Sequence, residues 1–323
     1  MKSIKFSISI LLIHISLLIS SELPLQIETN IQPTNFWDYI NIYDKNDVTT
    51  TFLEESKLIV ELNKCESIGQ SKKSKIFLDF PTVNGNLKSF QVYYSPVMPN
   101  RLKRKFPNIK TYTGIGLENP TERISITVSH LGIKAMILGD NNKIFIDPIE
   151  SSTGLYRVSY NEMNVPEVNQ NLGCEDNDVI LRYQDQNGRN NRNNFPACVG
   201  EDQPCYSIGD TLVTFRFAGI VTTEANNQIS DGTVDGGLAW LNAMVNQVNL
   251  LWVRELSFRL ELIENNDLLI YTNSNPTPSD FTYYDMYTEL PLVLDHITDV
   301  IGPGGYNTPE AFLLWEYGAV FNT

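Results

Sequence analysis

Between residues 75 and 160, apolar and polar side chains alternate in short runs separated by turn residues, the spacing of an all-β unit rather than of helices. Phe77-Leu78-Asp79-Phe80 and Phe90-Gln91-Val92-Tyr93-Tyr94 flank Asn84-Gly85, the dipeptide best suited to the positive φ angles of a tight hairpin. Arg123 to Ser129, Ile133 to Leu138 and Lys143 to Asp147 continue as predicted strands, with His130-Leu131-Gly132 and Gly139-Asp140-Asn141-Asn142 as turns.

After Cys205 the period changes. Thr211 to Ile220 reads as a strand, and Thr233 to Arg254 reads as an amphipathic helix. On it Val234, Leu238, Leu241, Val245, Val248 and Trp252 step by three and four along one apolar face. Leu256, Phe258, Leu260 and Leu262 then alternate with Ser257, Arg259 and Glu261 as a half-buried strand. A second helix carries Leu290, Val293, Leu294, Ile297 and Ile301, with Pro291 near its start and Gly302-Pro303-Gly304-Gly305 ending it. The run from Phe312 to Phe321 predicts a third strand. Strand, helix, strand, helix, strand is the opening of an α/β domain.

Arg182 to Pro196 is too polar to bury a core and reads as a linker; a surface loop within one domain is the competing reading. Its Arg189 and Arg192 are the expected processing positions for a trypsin-like protease. At the N-terminus, Lys2 and Lys5 precede an apolar run from Phe6 to Ile19 that ends in Ser20-Ser21. This predicts a secretory signal over residues 1–21, with an uncleaved anchor as the alternative. The run is too short for a membrane-spanning helix of about 20 residues, so the expected destination is extracellular.

Composition narrows the classes. With 42% hydrophobic and 19% charged residues over 323 positions, the chain is neither a mini-protein nor a disordered one. Its net charge of −14 disfavours nucleic acid and anionic lipid as partners. Four cysteines, Cys65, Cys174, Cys198 and Cys205, are disulfide candidates in an oxidising compartment, with three pairings open. A zinc site is not indicated, because Cys198 and Cys205 have no histidines at ligand spacing. Past residue 21 the histidines are His130, in a predicted turn, and His296, off the apolar face of the second helix. Both read as solvated residues. No Gly-x-Ser-x-Gly elbow, Walker loop or dinucleotide fingerprint occurs.

Taken together, the two halves resemble secreted reprolysin-like zinc metalloproteases, the adamalysin-type metzincins. In the first half the resemblance rests on Phe80-Pro81-Thr82-Val83-Asn84-Gly85, Ser95-Pro96-Val97-Met98, Phe106 to Gly114, Leu131 to Ile137 and Ile146-Asp147-Pro148. In the second it rests on the element order and on Asn265 to Tyr271 and Tyr317 to Phe321, where Ala319 stands in place of a histidine frequent in the family. It implies a pro-region followed by a catalytic domain that binds zinc through His-Glu-x-x-His-x-x-Gly-x-x-His, with peptides as substrates.

That motif does not occur in residues 1–323, so no catalytic, cofactor-binding or metal residue is carried over. Nor does the text around Cys174 match a cysteine switch. The expected fold class is α+β and multi-domain. A signal over 1–21 and an unassigned segment over 22–74 precede a β-rich, sandwich-like pro-region over 75–181. A linker with cysteines follows over 182–205, and an incomplete metzincin-like domain over 206–323. The resulting expectation is a family member without peptidase activity as given, truncated before its zinc helix. Two alternatives are a secreted inhibitor or chaperone module acting on a full-length protease, and an incomplete gene model of an active enzyme.

Overall fold

The computed structural model describes residues 32–44, 48–68, 76–139, 142–160, 211–279, 286–302, 311–315 and 318–320. From Pro33 onward these form one compact unit. Its first half is a nine-stranded sheet of β1 (Trp37–Asp44), β2 (Val48–Leu53), β3 (Phe77–Pro81), β4 (Leu87–Tyr94), β5 (Lys110–Gly116), β6 (Arg123–Ser129), β7 (Gly132–Leu138), β8 (Lys143–Pro148) and β9 (Leu155–Ser159). Two short helices, α1 (Glu55–Leu62) and α2 (Asn100–Lys105), interrupt the strands.

The strand order is β1-β2-β9-β8-β7-β6-β5-β4-β3, with every described neighbouring pair antiparallel. Thr34, just before β1, bridges to Leu78 on β3 through backbone bonds of 3.0 and 3.1 Å and almost closes the sheet on itself. The sandwich expected from the strand spacing is therefore a single curled sheet. The correction comes from residues 37–53, where the sequence pattern suggests no elements: they supply the two strands that carry pairing from β9 round toward β3. Closure removes the exposed edges that two stacked sheets would keep. Trp37, Phe80, Phe90, Tyr112, Ile124, Ile126, Ile146 and Tyr156 fill the interior.

Two turns follow the sequence, one of them loosely. Gly85 takes a φ of +81°, but the strands close at Pro81 and Leu87, so the Asn84-Gly85 connection is a five-residue loop rather than a tight hairpin. Gly132 takes a φ of +108° and pairs with Ser129, leaving His130 and Leu131 as a two-residue tip. The positive φ explains the glycine there.

The second half is mixed α/β. Its strands β10 (Val213–Val221), β11 (Phe258–Leu262), β12 (Ala311–Trp315) and β13 (Gly318–Val320) lie in the order β11-β10-β12-β13. The pairs β10–β11 and β10–β12 are parallel, and β12–β13 is antiparallel. Helix α3 (Thr223–Ile229) and α4 (Val234–Leu256) connect β10 to β11, and α5 (Met286–Ile301) precedes β12. The predicted strand from Phe312 to Phe321 is thus two strands, because Leu313 pairs back on Val320. The strand, helix, strand, helix, strand order otherwise stands as read.

Burial explains the layering. Successive residues of β10 face opposite ways: Phe217 and Val221 pack with α4, while Ala218 and Ile220 pack with Val293 and Ile297 of α5. Gly219 lets α4 come close, since a Cβ there would lie 2.9 Å from Leu241 Cδ1. Thr233 caps α4, its hydroxyl accepting from Gly236 N at 3.0 Å. The other side of α4 lies on the outer face of β5, β6 and β7. Strand β6 shows the consequence. Ile124, Ile126 and Val128 point into the curled sheet, while Ser125 and Thr127 on its outer face are buried at 2% and 4% exposure. The molecule is stacked as curled sheet, α4, four-stranded sheet and α5.

Candidate functional site

The chemistry-bearing residues gather where α4 meets the curled sheet. Asn246, 4% exposed on α4, directs its Nδ2 to Tyr112 O at 3.2 Å and Ile126 O at 3.1 Å, with Thr127 Oγ1 at 3.4 Å. One turn on, Asn249 donates Nδ2 to Leu260 O at 2.8 Å and accepts from Leu260 N at 2.7 Å, fixing β11 to the same helix. Asn266 pairs both ways with the backbone of Gly219 at 2.8 and 2.9 Å and so acts as a short extra strand beside β10. Buried amides are mostly hydrogen-bonded, as these three are.

The curled sheet also reaches into the second half. The Val97 carbonyl accepts from Leu262 N at 3.0 Å, extending the sheet edge at β11. Arg259 donates to Ser95 Oγ at 2.9 Å and to Pro96 O at 2.7 Å. Val97, Met98, Leu102 and Ile109 share one apolar cluster with Phe217, Leu238, Leu241 and Leu262. The segment 95–109 and helix α4 therefore grip each other's sheets.

A third contact lies at the β6–β7 tip. His130 Nε2 is 2.9 Å from Asp231 Oδ2, and its Nδ1 is 3.3 Å from Asp235 Oδ2, at the start of α4. His130 is an exposed turn residue, as read, and the turn also places it against two carboxylates that lie about 100 residues away in sequence and give no local signal. Burial alone would raise the Asp231 pKa, but hydrogen bonds from Thr233 and His130 outweigh it and leave the carboxyl below its ordinary value. Because this pKa is depressed, its contribution to stability is complete above about pH 4 and is lost as pH falls through the lower folded-state value. Asp231→Asn should then flatten the acid limb of a stability–pH curve. His130→Ala should cost about 0.5–1 kcal/mol at neutral pH, small because solvent screens a partly exposed pair. Urea titrations between pH 3 and pH 7 measure both.

A cleft of about 180 Å³ opens beside this contact, with Lys134, Asp147 and Trp240 in its walls. Lys134 Nζ is 3.4 Å from the buried Asp147 Oδ1. The cleft's serines are engaged by the backbone: Ser129, Ser151 and Ser230 donate to Gly132 O, Leu131 O and Asn226 O. A hydroxyl held by a carbonyl, with no base against it, is not set up as a nucleophile.

His296 is not simply solvated, since its Nε2 hydrogen-bonds Tyr271 Oη, a buried phenol whose pKa burial pushes up to about 12. Among the described residues no group of three His, Cys, Asp or Glu side chains is arranged to hold a metal ion. His130 and His296 are committed to different partners. The described residues thus offer no zinc ligand set. Among these residues no helix is long and apolar enough to cross a membrane.

Of the disulfide and processing candidates read from the sequence, only Cys65 falls within the described residues. Cys174, Cys198, Cys205, Arg189 and Arg192 lie outside them, as does the signal at 1–21. Among the described residues Cys65 has no disulfide partner, and it packs against the curled sheet's core. Burial, and then the charge of Glu61, push its pKa up to about 12. A thiol held protonated is a poor nucleophile. Iodoacetamide at pH 8 should label Cys65 at least tenfold more slowly in the native chain than in urea, as read by mass spectrometry of the peptide.

No family model, curated protein or solved structure matches the chain.

Proposed function

We propose that the chain is a secreted member of the reprolysin-like metalloprotease group, with the curled sheet as its pro-region and β10 to β13 as the metzincin-type part. The observation that carries this reading is the reciprocal grip. A β-rich unit lies on the long helix α4 of a parallel β-α-β-α-β unit, and its segment Ser95-Pro96-Val97-Met98 occupies the edge at β11. A pro-region that assists folding or holds an enzyme latent needs such a hold on the domain it accompanies. The resemblance in the text of both halves supports the same assignment. The zinc ligands and general base that it implies have no counterpart in residues 1–323, so this stretch of chain is proposed to hydrolyse no peptide by itself.

The edge pairing at β11 also favours a second reading. A segment that grips a strand edge within one chain grips the same edge on another, and the curled sheet then acts as an inhibitor or chaperone of a complete protease.

Expression in a secreting host tests the primary reading. The chain should reach the medium with its N-terminus trimmed near residue 21, be cut after Arg189 or Arg192, and show no chelator-sensitive peptidase activity. Retention in the cell with residues 1–21 intact, or zinc-dependent hydrolysis by the purified chain, would contradict it.

A further inference from the structure

Opposite the His130 contact, the junction of α4 with the curled sheet encloses a second cavity, of about 320 Å³. This is at the lower end of the range for small-molecule sites, about 300–1,000 Å³. Three arginines from three elements line it: Arg123 at the start of β6, Arg254 near the end of α4 and Arg259 on β11. The chain has 38 acidic residues against 24 basic ones, yet among the described residues that line the cavity none is a carboxylate. Two acids act on these arginines from outside the lining. Glu255 Oε1 takes Arg254 Nε at 2.6 Å, and Glu261 supports the charge of Arg259.

Each guanidinium keeps donors beyond those bonds. Arg259 directs two nitrogens to Ser95 and Pro96, Arg123 uses NH1 on the carbonyls of Pro120 and Glu122, and Arg254 uses Nε on Glu255. A guanidinium carries five N–H donors in a planar fork that matches an oxyanion. Three such groups around one half-buried space repel one another. Burial, and then the charge of Arg254, lower the pKa of Arg123. An anion in the cavity would relieve that repulsion. Part of the remaining wall is aliphatic, with Ile115, Leu250 and Val253 lining the same space, and Ser95, Thr113, Asn246 and Asn249 add neutral polar groups.

We propose that this cavity binds a carboxylate carried on a short aliphatic arm, either a free acid or the C-terminus of a polypeptide. The carboxylate sits among Arg123, Arg254 and Arg259, and the arm lies on the aliphatic wall. The site does not depend on the protease assignment, although Ser95 and Arg259 belong also to the grip at β11.

Calorimetric titration of the purified full chain with N-acetyl-leucine, N-acetyl-leucine amide, inorganic phosphate and a pentapeptide ending in leucine tests it. N-acetyl-leucine should bind at one per chain, at least tenfold tighter than the amide or phosphate, and weaken with added salt. The pentapeptide binding more tightly supports the site and identifies a polypeptide C-terminus; equal or weaker binding supports it and identifies a free acid. Arg123→Gln and Arg254→Gln should each reduce affinity about tenfold, with the circular dichroism spectrum unchanged. Arg123→Lys keeps the charge but loses the fork, and should weaken binding too, so it decides the matter if the glutamine variants misfold. No saturation by N-acetyl-leucine up to about 10 mM, equal affinity for the amide or phosphate, or full affinity in a folded Arg123 variant would overturn the proposal.

Discussion

Asn246→Asp should be the most damaging isosteric change in the molecule, lowering the free energy of unfolding by about 3–5 kcal/mol. The side chain keeps its size, but its donor becomes a carboxylate oxygen facing the carbonyls of Tyr112 and Ile126 at the distances Nδ2 now occupies, 3.2 and 3.1 Å. At 4% exposure little solvent reaches the new charge, which faces only the arginines of the cavity that Asn246 helps to line. The substitution sets acceptor against acceptor and leaves the carbonyls of Tyr112 and Ile126 without the donor they now have. Asn246→Ala removes the bonds without adding the charge and should cost about 1–3 kcal/mol. Urea unfolding of the two variants at pH 7 gives the comparison. If aspartate is no worse than alanine, the amide does not point where the structure places it.

Leu241→Ala should also cost a great deal, about 2–5 kcal/mol, since Leu241 is fully buried between α4 and β10. Its partner in the close approach is Gly219, where a Cβ would come within 2.9 Å of Leu241 Cδ1 and 3.0 Å of Cδ2. Gly219→Ala alone should therefore destabilise by overpacking, typically by about 1–3 kcal/mol. In the double variant the new methyl occupies part of the space the leucine vacated. Its loss should fall short of the sum of the single losses by at least about 0.5 kcal/mol. Strict additivity would mean that α4 does not rest on Gly219.

The elements of the second half are legible because each has one dominant period. The apolar stripe from Val234 to Trp252 marks α4 nearly to its ends, and alternation marks β11. What the stripe conceals is that α4 is buried on two sides. Asn242, Asn246 and Asn249 step by four and three just as the leucines and valines do, and all three are buried. A polar stripe ordinarily means solvent, so the period alone assigns this side to water. The same assumption hides the outer face of β6. Ile-Ser-Ile-Thr-Val reads as a strand with one wet face, yet Ser125 and Thr127 lie beneath α4. Small hydroxyl side chains permit a helix to lie close to a sheet and, unlike larger apolar ones, give no sign of it in the pattern.

Long-range pairing is the other unreadable part. The contacts of His130 with Asp231 and Asp235, and of Arg259 with Ser95 and Pro96, join residues 100 or more positions apart. Local propensity carries no information about such partners. The strands at 37–53 escape the pattern for a related reason: β1 gains its place by pairing with β2 and by the bridge at Thr34, not by alternation in its own text.

The curled sheet and the β-α-β-α-β unit are held as one body through α4 and segment 95–109, and cutting the chain between them without unfolding either tests that hold. Limited trypsin treatment within 182–196 makes the cut, and gel filtration in buffer at about physiological ionic strength reads the outcome. The two fragments should co-elute at the position of the uncut chain and separate only in denaturant. Two folded fragments eluting apart, each at its own monomer position, would contradict the hold.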